Sequence, residues 1–407
     1  MKILIYGLNF APELTGIGKY SGEMAAWLSS RGHDVRVVTA PPYYPAWKVQ
    51  TGYRATRYQV ETWRGLRVLR CPLWVPANAG GLKRLVHLAS FAASSIFGLL
   101  SNWRWKPDVV WLTEPPLFCA PAALGFARLR GAKAWLHIQD YEIDAAFDLG
   151  LLRGPSMRKA VTQGERWLMR NFDRVSTISE RMMARSRDKG VDEARLVSFP
   201  NWVDVSKIQP LNGPSPYRAE LGIPAGAVVA LYSGNMGAKQ GLEMLAETAA
   251  QLQGYPDVYF VFCGGGSGRA DLVERCTGLA NVQFLDLQPL ERISDLLGLA
   301  DIHLLPQRAD AADLVMPSKL TGMLSSGRPV VAGARLDTEL GKVAGECGIS
   351  VPPDDAAAFA AAIASLASQP QRRQELGQRA RAFAQAHLDA NAILERFERD
   401  LERCISA

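Results

Sequence analysis

Two stretches of the chain decide its fold: Lys2–Tyr6 (KILIY) leads into Pro12–Lys19 (PELTGIGK), and Val228–Tyr232 (VVALY) leads into Gly234–Gly241 (GNMGAKQG). In each, an apolar run as long as a buried parallel strand is followed by glycines and then by a helical pattern. Backbone N–H groups at a helix start, with no side chain in front of them, bind anions. One such loop is explained equally well by a turn. Two loops in one chain favour two Rossmann-like domains with a nucleotide in the cleft between them.

The size and charge of the chain fit two domains and an anionic ligand. Its 407 residues, with 48% hydrophobic content, suit two domains of roughly 200 residues each. The net charge of +6 favours a nucleotide-activated substrate, a lipid phosphate or an acidic membrane leaflet as partner. Lys and Arg are scattered and no Cys/His finger occurs, so we expect no nucleic-acid partner. Six widely spaced cysteines without a C-x-x-C pair predict buried thiols in a reducing compartment.

The order of apolar runs and helical patterns predicts an α/β protein with a doubly wound parallel sheet in each domain. We predict a first domain over 1–205 and a second domain over 206–385. Between them, Ser206–Pro216 is rich in Pro, Gly, Asn and Ser, which is typical of a hinge. One long helix from about Arg372 to Cys404 is expected at the end of the chain. Its last part, 386–407, would brace the first domain.

The most apolar segment, Leu82–Leu100, is broken by basic residues and serines and falls short of a membrane-spanning helix. Its basic and aromatic flanks suit a helix lying at a lipid headgroup surface, and a core-facing helix explains the segment equally well. The flanking residues are Lys83, Arg84, Trp103 and Trp105. The N-terminus opens directly on a strand pattern, without a signal peptide. We therefore expect a cytoplasmic protein that is peripheral on the cytoplasmic face of the inner membrane.

Polar residues gather where predicted strands end, which is where open parallel sheets bind ligands. His137 closes the strand Ala134–Ile138, so that a ring nitrogen would point into the cleft; a structural histidine is an even alternative. The segment Asp310–Gly327 follows another strand and leads into a helix that begins with Ser318 and Lys319. Oriented amides, a hydroxyl and a positive charge are what a leaving diphosphate needs. A helix cap with a solvated lysine is the structural alternative.

Two further loops are ambiguous. Tyr43, Tyr44 and Trp47 follow the second strand, where aromatic faces would hold a sugar or a lipid-linked acceptor. Packing within the loop is the more economical explanation. The glycine cluster Cys263–Gly268 would let the backbone approach a base or ribose, and a simple turn explains it nearly as well.

Over nearly its whole length the chain resembles the family 4 retaining glycosyltransferases of the GT-B fold. After the glycine loop, the family's motifs follow in order as RGHDV (31–35), PNWVD (200–204), ADIHLLP (300–306) and SGRPV (326–330). More narrowly, PELTGIGKY (12–20), PPYYP (41–45), HIQDY (137–141), SGNMGAKQGLE (233–243) and PSK (317–319) resemble colanic-acid fucosyltransferases of bacterial exopolysaccharide clusters. Relatives of that group include N-acetylfucosaminyl transferases of O-antigen assembly.

The resemblance implies that the second domain binds a nucleoside-diphosphate sugar and the first domain binds the acceptor. The acceptor hydroxyl would attack from the face that the leaving group departs, so that anomeric configuration is retained without a metal. His137 would contact the donor sugar, and Gly16 and Gly18 would approach the diphosphate. The remaining donor-binding candidates are Gly234, Asn235, Lys239, Gln240, Met316, Pro317, Ser318 and Lys319.

The chain departs from the family at the charged positions of the donor site. The family's Arg and Lys in G-R-x4-K-G are Asn235 and Gln240 here. We predict that Lys239 and, chiefly, Lys319 supply the missing positive charge.

The family's E-x7-E pair is also absent, because its positions fall on Leu314 and Gly322. Asp313 is the predicted replacement for the first acid, with Asp310 as the alternative. The second acid, which binds ribose in the family, has no evident substitute.

These features predict a glycosyltransferase that needs neither cofactor nor metal. The first candidate reaction transfers L-fucose from GDP-fucose to a polyprenyl-diphosphate-linked saccharide during exopolysaccharide synthesis. A UDP-linked amino sugar is the alternative donor. A sugar-nucleotide epimerase would need acids around the sugar and no acceptor groove. An NAD-dependent oxidoreductase would need a further G-x-x-G turn and an acid after the second strand, where Thr39–Pro41 stands. The missing acids also allow an inactive nucleotide-binding homologue.

Overall fold

A computed structural model describes residues 1–77, 81–148, 154–237, 240–309 and 316–406. The chain divides into two compact units. The first comprises Met1–Pro200 and the chain from Leu394 onward, and the second comprises Asn201–Ile393. The boundary therefore lies ahead of the predicted division at 205, and the predicted terminal segment 386–407 is shared between the units.

The first unit is built on an eight-stranded sheet. Its strands lie in the order β3-β4-β2-β1-β5-β6-β7-β8, and only β3 runs antiparallel to its neighbour. The elements in chain order are β1 Lys2–Tyr6, α1 Gly16–Ser30, β2 Asp34–Thr39, β3 Gln59–Trp63, β4 Leu66–Arg70, α2 Leu82–Leu100, β5 Val109–Glu114, α3 Ala120–Arg130, β6 Lys133–Ile138, α4 Glu142–Asp148, α5 Pro155–Arg170, β7 Arg174–Thr177, α6 Glu180–Asp188 and β8 Leu196–Ser198.

The edge strand β3 is an element that the sequence analysis did not predict. Its side chains alternate between half-buried and exposed, so it lacks the apolar run of a buried strand. It forms a hairpin with β4 through Arg64 and Gly65, which both have positive φ, 48° and 81°. A two-residue turn of this kind matches the twist of an antiparallel pair. The Gly at its second position was the signal available in the sequence.

The second unit is built on a six-stranded parallel sheet in the order β11-β10-β9-β12-β13-β14. Its elements are α7 Pro216–Glu220, β9 Val228–Ser233, α8 Leu242–Gln251, β10 Val258–Cys263, α9 Arg269–Arg275, β11 Val282–Leu285, α10 Ile293–Leu299, β12 Ile302–Leu305, α11 Ser318–Ser325, β13 Val330–Gly333, α12 Glu339–Cys347, β14 Gly348–Val351, α13 Ala356–Ala367 and α14 Pro370–His387. A last helix, α15, spans Ala390–Ser406.

Each sheet reverses its strand order at one point, which determines where a ligand can bind. The reversal lies between β1 and β5 in the first sheet and between β9 and β12 in the second. Crevices form beyond the carboxyl ends of strands at such points. The glycine loops that contain Gly16 and Gly234 follow β1 and β9, so each loop lies at the reversal of its own sheet.

The predicted single helix from Arg372 to Cys404 is wrong, because the chain breaks between α14 and α15. At the break, Val203 N donates to Leu388 O at 2.8 Å and Ala390 N donates to Val203 O at 3.0 Å. Asp389 then caps α15, since its Oδ1 accepts from Ala392 N at 2.9 Å. An aspartate at a helix N-cap is a strong start signal. The charged pattern on both sides of the break concealed it.

Helix α15 contributes side chains to the core of the first unit. Phe397 packs against Trp111 with ring centroids 4.8 Å apart and against Phe199 at 4.3 Å. Glu398 accepts from His33 Nε2 at 2.9 Å. All six cysteines are free and buried, as the sequence predicted. Over the described residues, no helix combines the length and apolar character that crossing a bilayer requires.

Candidate functional site

Two glycine segments pack against each other after β9 and β10. Gly234 has a φ of 140°, and Gly264 and Gly266 have φ values of 135° and 146°. A Cβ on Gly264 would overlap the carbonyl oxygen of Gly234, and a Cβ on Gly266 would lie 2.6 Å from the carbonyl oxygen of Met236. Side chains are therefore excluded at these positions. The glycine cluster after β10 supports the backbone of the loop after β9.

Lys319 lies across this glycine loop. Its Nζ is 2.8 Å from Gln240 Oε1 and 3.3 Å from Tyr232 Oη, and it lies 4.4 Å from the centroid of the Tyr232 ring. A Cβ on Gly234 would be 3.5 Å from Lys319 Cδ. Burial lowers the pKa of Lys319 to about 7. The structure thus brings together Gly234, Gln240 and Lys319, with the ammonium beside the position where the family carries its own lysine.

The start of α11 adds backbone donors to the same region. Pro317 occupies the N-cap position in extended conformation, and Ser318 is the exposed first residue of the helix. Met316 is half-buried and packs against the core beneath. The first N–H groups of a helix have no partner within it and favour anions. Asn235 is exposed in the loop opposite.

Three predicted site residues, Lys239, Asp310 and Asp313, lie outside the described residues. Their roles in binding charge or in catalysis stay predictions.

Two residues of this region were not predicted from the sequence. Tyr232 is the penultimate residue of β9; its hydroxyl donates to Asn235 O at 2.6 Å, and its ring lies under the Lys319 ammonium. Arg308 follows β12 and contacts Glu243 Oε1 through Nη1 at 3.1 Å. A Cβ on Gly241 would lie 3.7 Å from Arg308 Cγ. Their position near the carboxyl ends of β9 and β12 could have identified them from the sequence.

The glycine loop of the first unit is anchored by a buried carboxylate. Glu13 is 3% exposed, and its Oε1 accepts from Tyr43 N at 3.0 Å and from Tyr44 N at 2.9 Å. Its Oε2 accepts from Asn9 Nδ2 at 2.9 Å. Burial raises the pKa of Glu13, and these hydrogen bonds oppose the shift. One side chain therefore joins the glycine loop to the Tyr43–Tyr44 loop.

Gly16 and Gly18 have different surroundings within that loop. Gly16 has a φ of 60° and begins α1, and a Cβ there would lie 3.8 Å from the ring of Tyr44. Gly18 is buried, and a Cβ there would lie 2.6 Å from Glu13 Cβ. Gly18 thus allows α1 to pack on Glu13, whereas Gly16 lies at the helix start.

The two tyrosines also differ. Tyr43 is buried, with ring centroids 5.4 Å from Trp47 and 4.9 Å from His87, as loop packing requires. Tyr44 is half-buried beside Gly16. Of the two, Tyr44 keeps the exposure that an acceptor contact needs.

His137 lies inside β6 and is covered, in contrast to the expectation that a ring nitrogen points into an open cleft. The Trp111 ring stacks on it at 5.0 Å, and the Phe199 ring meets it edge-on at 5.2 Å. Its Nδ1 lies 2.9 Å from Ser176 Oγ, and its Nε2 lies 2.9 Å from Gln139 Nε2. Burial lowers the pKa of His137 to about 3. The neutral ring of His137 therefore contacts Gln139, the residue that follows β6. Its contact with a donor sugar stays a prediction.

Two buried acids lie at the same end of the sheet, and of these Glu114 was not predicted from the sequence. Glu114 ends β5, and neither carboxylate oxygen has a hydrogen-bond partner among the described residues. Burial, together with nearby Glu165 and Glu142, raises the pKa of Glu114 well above its usual value. Glu142 accepts from Leu117 N at 2.8 Å, and burial raises its pKa to about 6. The Glu-Pro-Pro sequence after an apolar strand was the signal available.

Helix α2 exposes a row of large apolar side chains. Leu82 is 74% exposed and Phe97 is 71% exposed. Val86, Ile96, Leu100 and Trp103 are exposed as well. Lys83 is exposed and Arg84 is half-buried at the start of the helix.

Trp105 is not part of this surface, so its predicted role in acceptor or membrane contact is wrong. The residue is buried, and its indole N–H donates to Asp34 Oδ2 at 2.7 Å. A tryptophan that buries its ring and satisfies its N–H is a core residue.

Comparison with known proteins agrees with this architecture in both units. Residues 15–202 match the glycosyl transferase 4-like domain family, and residues 227–369 match the family of glycosyl transferases group 1. The chain is 43% identical over 410 aligned residues to a protein named for colanic acid biosynthesis, the glycosyl transferase WcaI of Escherichia coli strain K12. The alignment covers 98% of this chain and 100% of the relative.

Two solved structures show the same fold at low sequence identity. Sucrose-phosphate synthase from Thermosynechococcus elongatus superposes with a TM-score of 0.78 at 18% identity, covering 100% of this chain and 99% of the other. HepE from Anabaena, solved with UDP and glucose, superposes with a TM-score of 0.72 at 16% identity, covering 99% and 100% of the two chains. The full-length sequence match and the two Rossmann-like sheets together show that this chain belongs to the family 4 glycosyltransferases and has the GT-B fold.

Proposed function

We propose that this glycosyltransferase transfers a sugar from a nucleoside diphosphate to a polyprenyl-diphosphate-linked saccharide during the assembly of an exopolysaccharide such as colanic acid. L-Fucose from GDP-fucose is the first candidate donor. The pathway is supported by the 43% identical relative, which is named for colanic acid biosynthesis. The observation that carries the binding of a nucleoside diphosphate is the cluster formed by Gly234 and Gln240 after β9 with Lys319.

This cluster has the chemistry that a diphosphate leaving group needs. The glycines of the loop leave room for phosphate oxygens, and the Lys319 ammonium provides a donor that approaches from one side. The first turn of α11 adds backbone N–H groups. In the transfer, the acceptor oxygen bonds to the anomeric carbon while the bond to the phosphate oxygen breaks. Charge grows on the departing diphosphate, and Lys319 would stabilise that charge.

A uridine nucleotide is the second candidate for the donor. It is favoured by the structural neighbour HepE, which was solved with UDP and glucose. Its 16% identity to this chain supports a shared fold, so the choice of base is left to experiment.

The acceptor and membrane part of the proposal rests on α2. Its exposed apolar row places Leu82, Val86, Ile96, Phe97 and Leu100 on the solvent side. Exposed apolar surface of this kind marks an interaction site, and a basic flank favours an anionic lipid surface. Lys83 at the start of α2 and Arg104 and Lys106 just after it provide the flank. We infer that α2 lies on the cytoplasmic leaflet, where a polyprenyl-linked acceptor is held.

Retention of configuration and independence from metal are further parts of the proposal. Both are supported by the family resemblance, and independence from metal is supported also by the presence of a lysine where a metal would otherwise neutralise the diphosphate. Turnover that survives EDTA, with a product that has the same anomeric configuration as the donor, would support them. A requirement for Mg²⁺ or Mn²⁺ would contradict the role given to Lys319.

The experiment that tests the donor is thermal stabilisation of the purified protein with GDP, UDP, GDP-fucose, UDP-sugars and NAD. A ligand that binds the folded state raises the melting temperature by mass action. Stabilisation by GDP and GDP-fucose alone supports the proposed donor and directs the acceptor search to lipid-linked glucose or galactose. Stabilisation by UDP compounds alone would support a UDP-linked amino sugar as the donor instead. The absence of stabilisation by any nucleotide would contradict donor binding.

A further inference from the structure

The second unit has a cleft at the end of its sheet that is opposite to the glycine loop. The cleft has a volume of about 610 Å³. Its walls are the segments that precede β12 and β13, together with one face of α14. Because these segments precede the strands, the cleft opens at their amino ends. The glycine loop and Lys319 lie beyond the carboxyl ends.

The charge of this cleft is positive. Three guanidinium groups line it, those of Arg328, Arg373 and Arg381, against one carboxylate, that of Asp301. Asp301 is already paired, since its Oδ2 accepts from Arg218 Nη2 and, at 2.9 Å, from Val229 N. We call this site, lined by Arg328, Arg373 and α14, the arginine cleft.

Two of the three arginines keep donors that have no partner among the described residues. The guanidinium of Arg381 is already hydrogen-bonded within the protein, because it donates to the carbonyl oxygens of Val205, Ile208 and Ser325. Arg373 donates through Nη1 alone to two carbonyl oxygens at the end of α13. Arg328 Nε is buried and has no partner among the described residues, and its Nη2 makes only a long contact of 3.4 Å to Gly298 O.

An unpartnered buried donor carries a free-energy cost that a bound acceptor removes. Burial lowers the pKa of Arg373, and Arg328 and Arg218 lower it further whereas Asp301 raises it. Charges that repel one another at short range are stabilised by an anion between them. The donors of the cleft therefore suit a compact anion with several acceptor oxygens, and a phosphate is such an anion.

The remaining lining groups suit hydroxyls. Gln374 and Gln378 lie one turn apart on α14, Gln385 lies two turns further along, and all three line the cleft. An amide both donates and accepts, which matches a sugar hydroxyl. The backbone beneath is fixed by close packing, since a Cβ on Gly377 would overlap the carbonyl oxygen of Gly327.

We propose that the arginine cleft binds a phosphorylated sugar, with Arg328 and Arg373 on the phosphate and the glutamine amides of α14 on the hydroxyls. This site is separate from the donor site. The eight-residue helix α11 has Lys319 in its first turn and leads at its other end into Gly327 and Arg328. At 1.5 Å per residue the two sites are about 12 Å apart along the helix.

Arginine footprinting on the full chain tests the proposal residue by residue. Phenylglyoxal labelling is followed by mass spectrometry with glucose 1-phosphate, inorganic phosphate, GDP or glucose present. We expect glucose 1-phosphate to protect Arg328 and Arg373 and to leave Arg372 labelled, because Arg372 is an exposed neighbour outside the cleft. Glucose should protect none of them. Protection by inorganic phosphate alone, or by none of the probes, would overturn the assignment of a sugar phosphate.

Calorimetry with glucose 1-phosphate separates this cleft from the donor site. Loss of a charge-assisted hydrogen bond costs about 1.5–3 kcal/mol, so Arg373→Gln should weaken binding about tenfold or more. Arg372→Gln and Lys319→Gln should bind like the unaltered protein. A Lys319→Gln variant that no longer binds the probe would place the ligand in the donor site and overturn the proposal. Equal binding by Arg373→Gln would overturn it as well.

Discussion

The Nζ of Lys319 lies 2.8 Å from Oε1 of Gln240, across the glycine loop that follows β9. By resemblance to the family motif G-R-x4-K-G, Gln240 occupies the position of the motif's lysine, and we predict that Lys319 at the start of α11 supplies that positive charge instead. If that ammonium binds the donor diphosphate, Lys319→Gln should raise the Kd for the nucleotide by about tenfold to a hundredfold. The factor corresponds to one charge-assisted hydrogen bond of about 1.5–3 kcal/mol. Isothermal titration with GDP and UDP measures it.

The matched control is Lys342→Gln, since Lys342 is an exposed lysine of α12 in the same unit. It should leave the nucleotide Kd unchanged. A Gln240→Lys, Lys319→Gln double variant should regain part of the affinity, because it returns the charge to the loop. Unchanged affinity in Lys319→Gln alone would remove this residue from the donor site.

The lowered pKa of Lys319 predicts how donor binding depends on pH. Burial holds that pKa at about 7, so the free enzyme loses this charge as the pH rises through 7. A bound diphosphate favours the protonated form and raises the pKa again. Nucleotide affinity should therefore fall between pH 7 and pH 9, and binding at pH 8 should take up a proton. Titration calorimetry in buffers of different ionisation enthalpy detects that uptake, which Lys319→Gln should abolish.

The same pKa also affects stability, with the opposite sign. The unfolded chain binds a proton at Lys319 up to its ordinary pKa of 10.5, whereas the folded chain releases it near 7. Stability should therefore rise with pH across this window, because burial of the charge is relieved. The difference in melting temperature between the unaltered protein and Lys319→Met measures this contribution. A difference that stays constant from pH 6 to pH 9 would contradict the lowered pKa.

Gly264 and Gly265 provide a matched pair for the packing of the two glycine segments. Gly264→Ala would place a methyl group on the Gly234 carbonyl at a φ of 135°, whereas a Cβ on Gly265 meets nothing within 4 Å. We expect Gly264→Ala to lower the melting temperature and to weaken nucleotide binding, because it displaces the loop that carries Gly234. Gly265→Ala should change neither. Similar behaviour of the two variants would show that the contact has no part in shaping the donor loop.

More of the fold than of the candidate donor site could be predicted from the sequence. Buried parallel strands are continuous apolar runs, so β1, β2 and β4 to β9 were visible in the sequence. The hairpin strand β3 was not, since its half-exposed alternation carries little apolar signal. The sequence also predicted Lys319 as the substitute for the missing loop lysine; its ammonium lies beside Gln240, and its role in donor binding stays a prediction. The burial of His137 and Trp105 was not, because a strand end or a helix flank does not reveal which rings pack on it.

Replacement of His137 separates a positioning role from direct contact with the donor. The ring is covered by Trp111 and Phe199, and its Nε2 lies 2.9 Å from Gln139 Nε2 at the end of β6. If it acts by positioning Gln139, then His137→Phe and Gln139→Ala should lower kcat by similar factors. The double variant should lose no more than either single variant, since the two residues would form one unit. Steady-state kinetics of the three variants gives the coupling.

The pKa of about 3 adds a second readout for His137. The unfolded chain takes up a proton at this ring near pH 6.5 and the folded chain does not, so its contribution to stability is present above pH 6.5 and is lost as the pH falls toward 3. The melting temperature of the unaltered protein should thus fall on acidification by more than that of His137→Phe. Because the ring stays neutral, the pH profile of kcat between 6 and 8 should be the same in both proteins. A kcat loss in His137→Phe far beyond that in Gln139→Ala, with an altered pH profile, would instead support direct contact between His137 and the donor sugar.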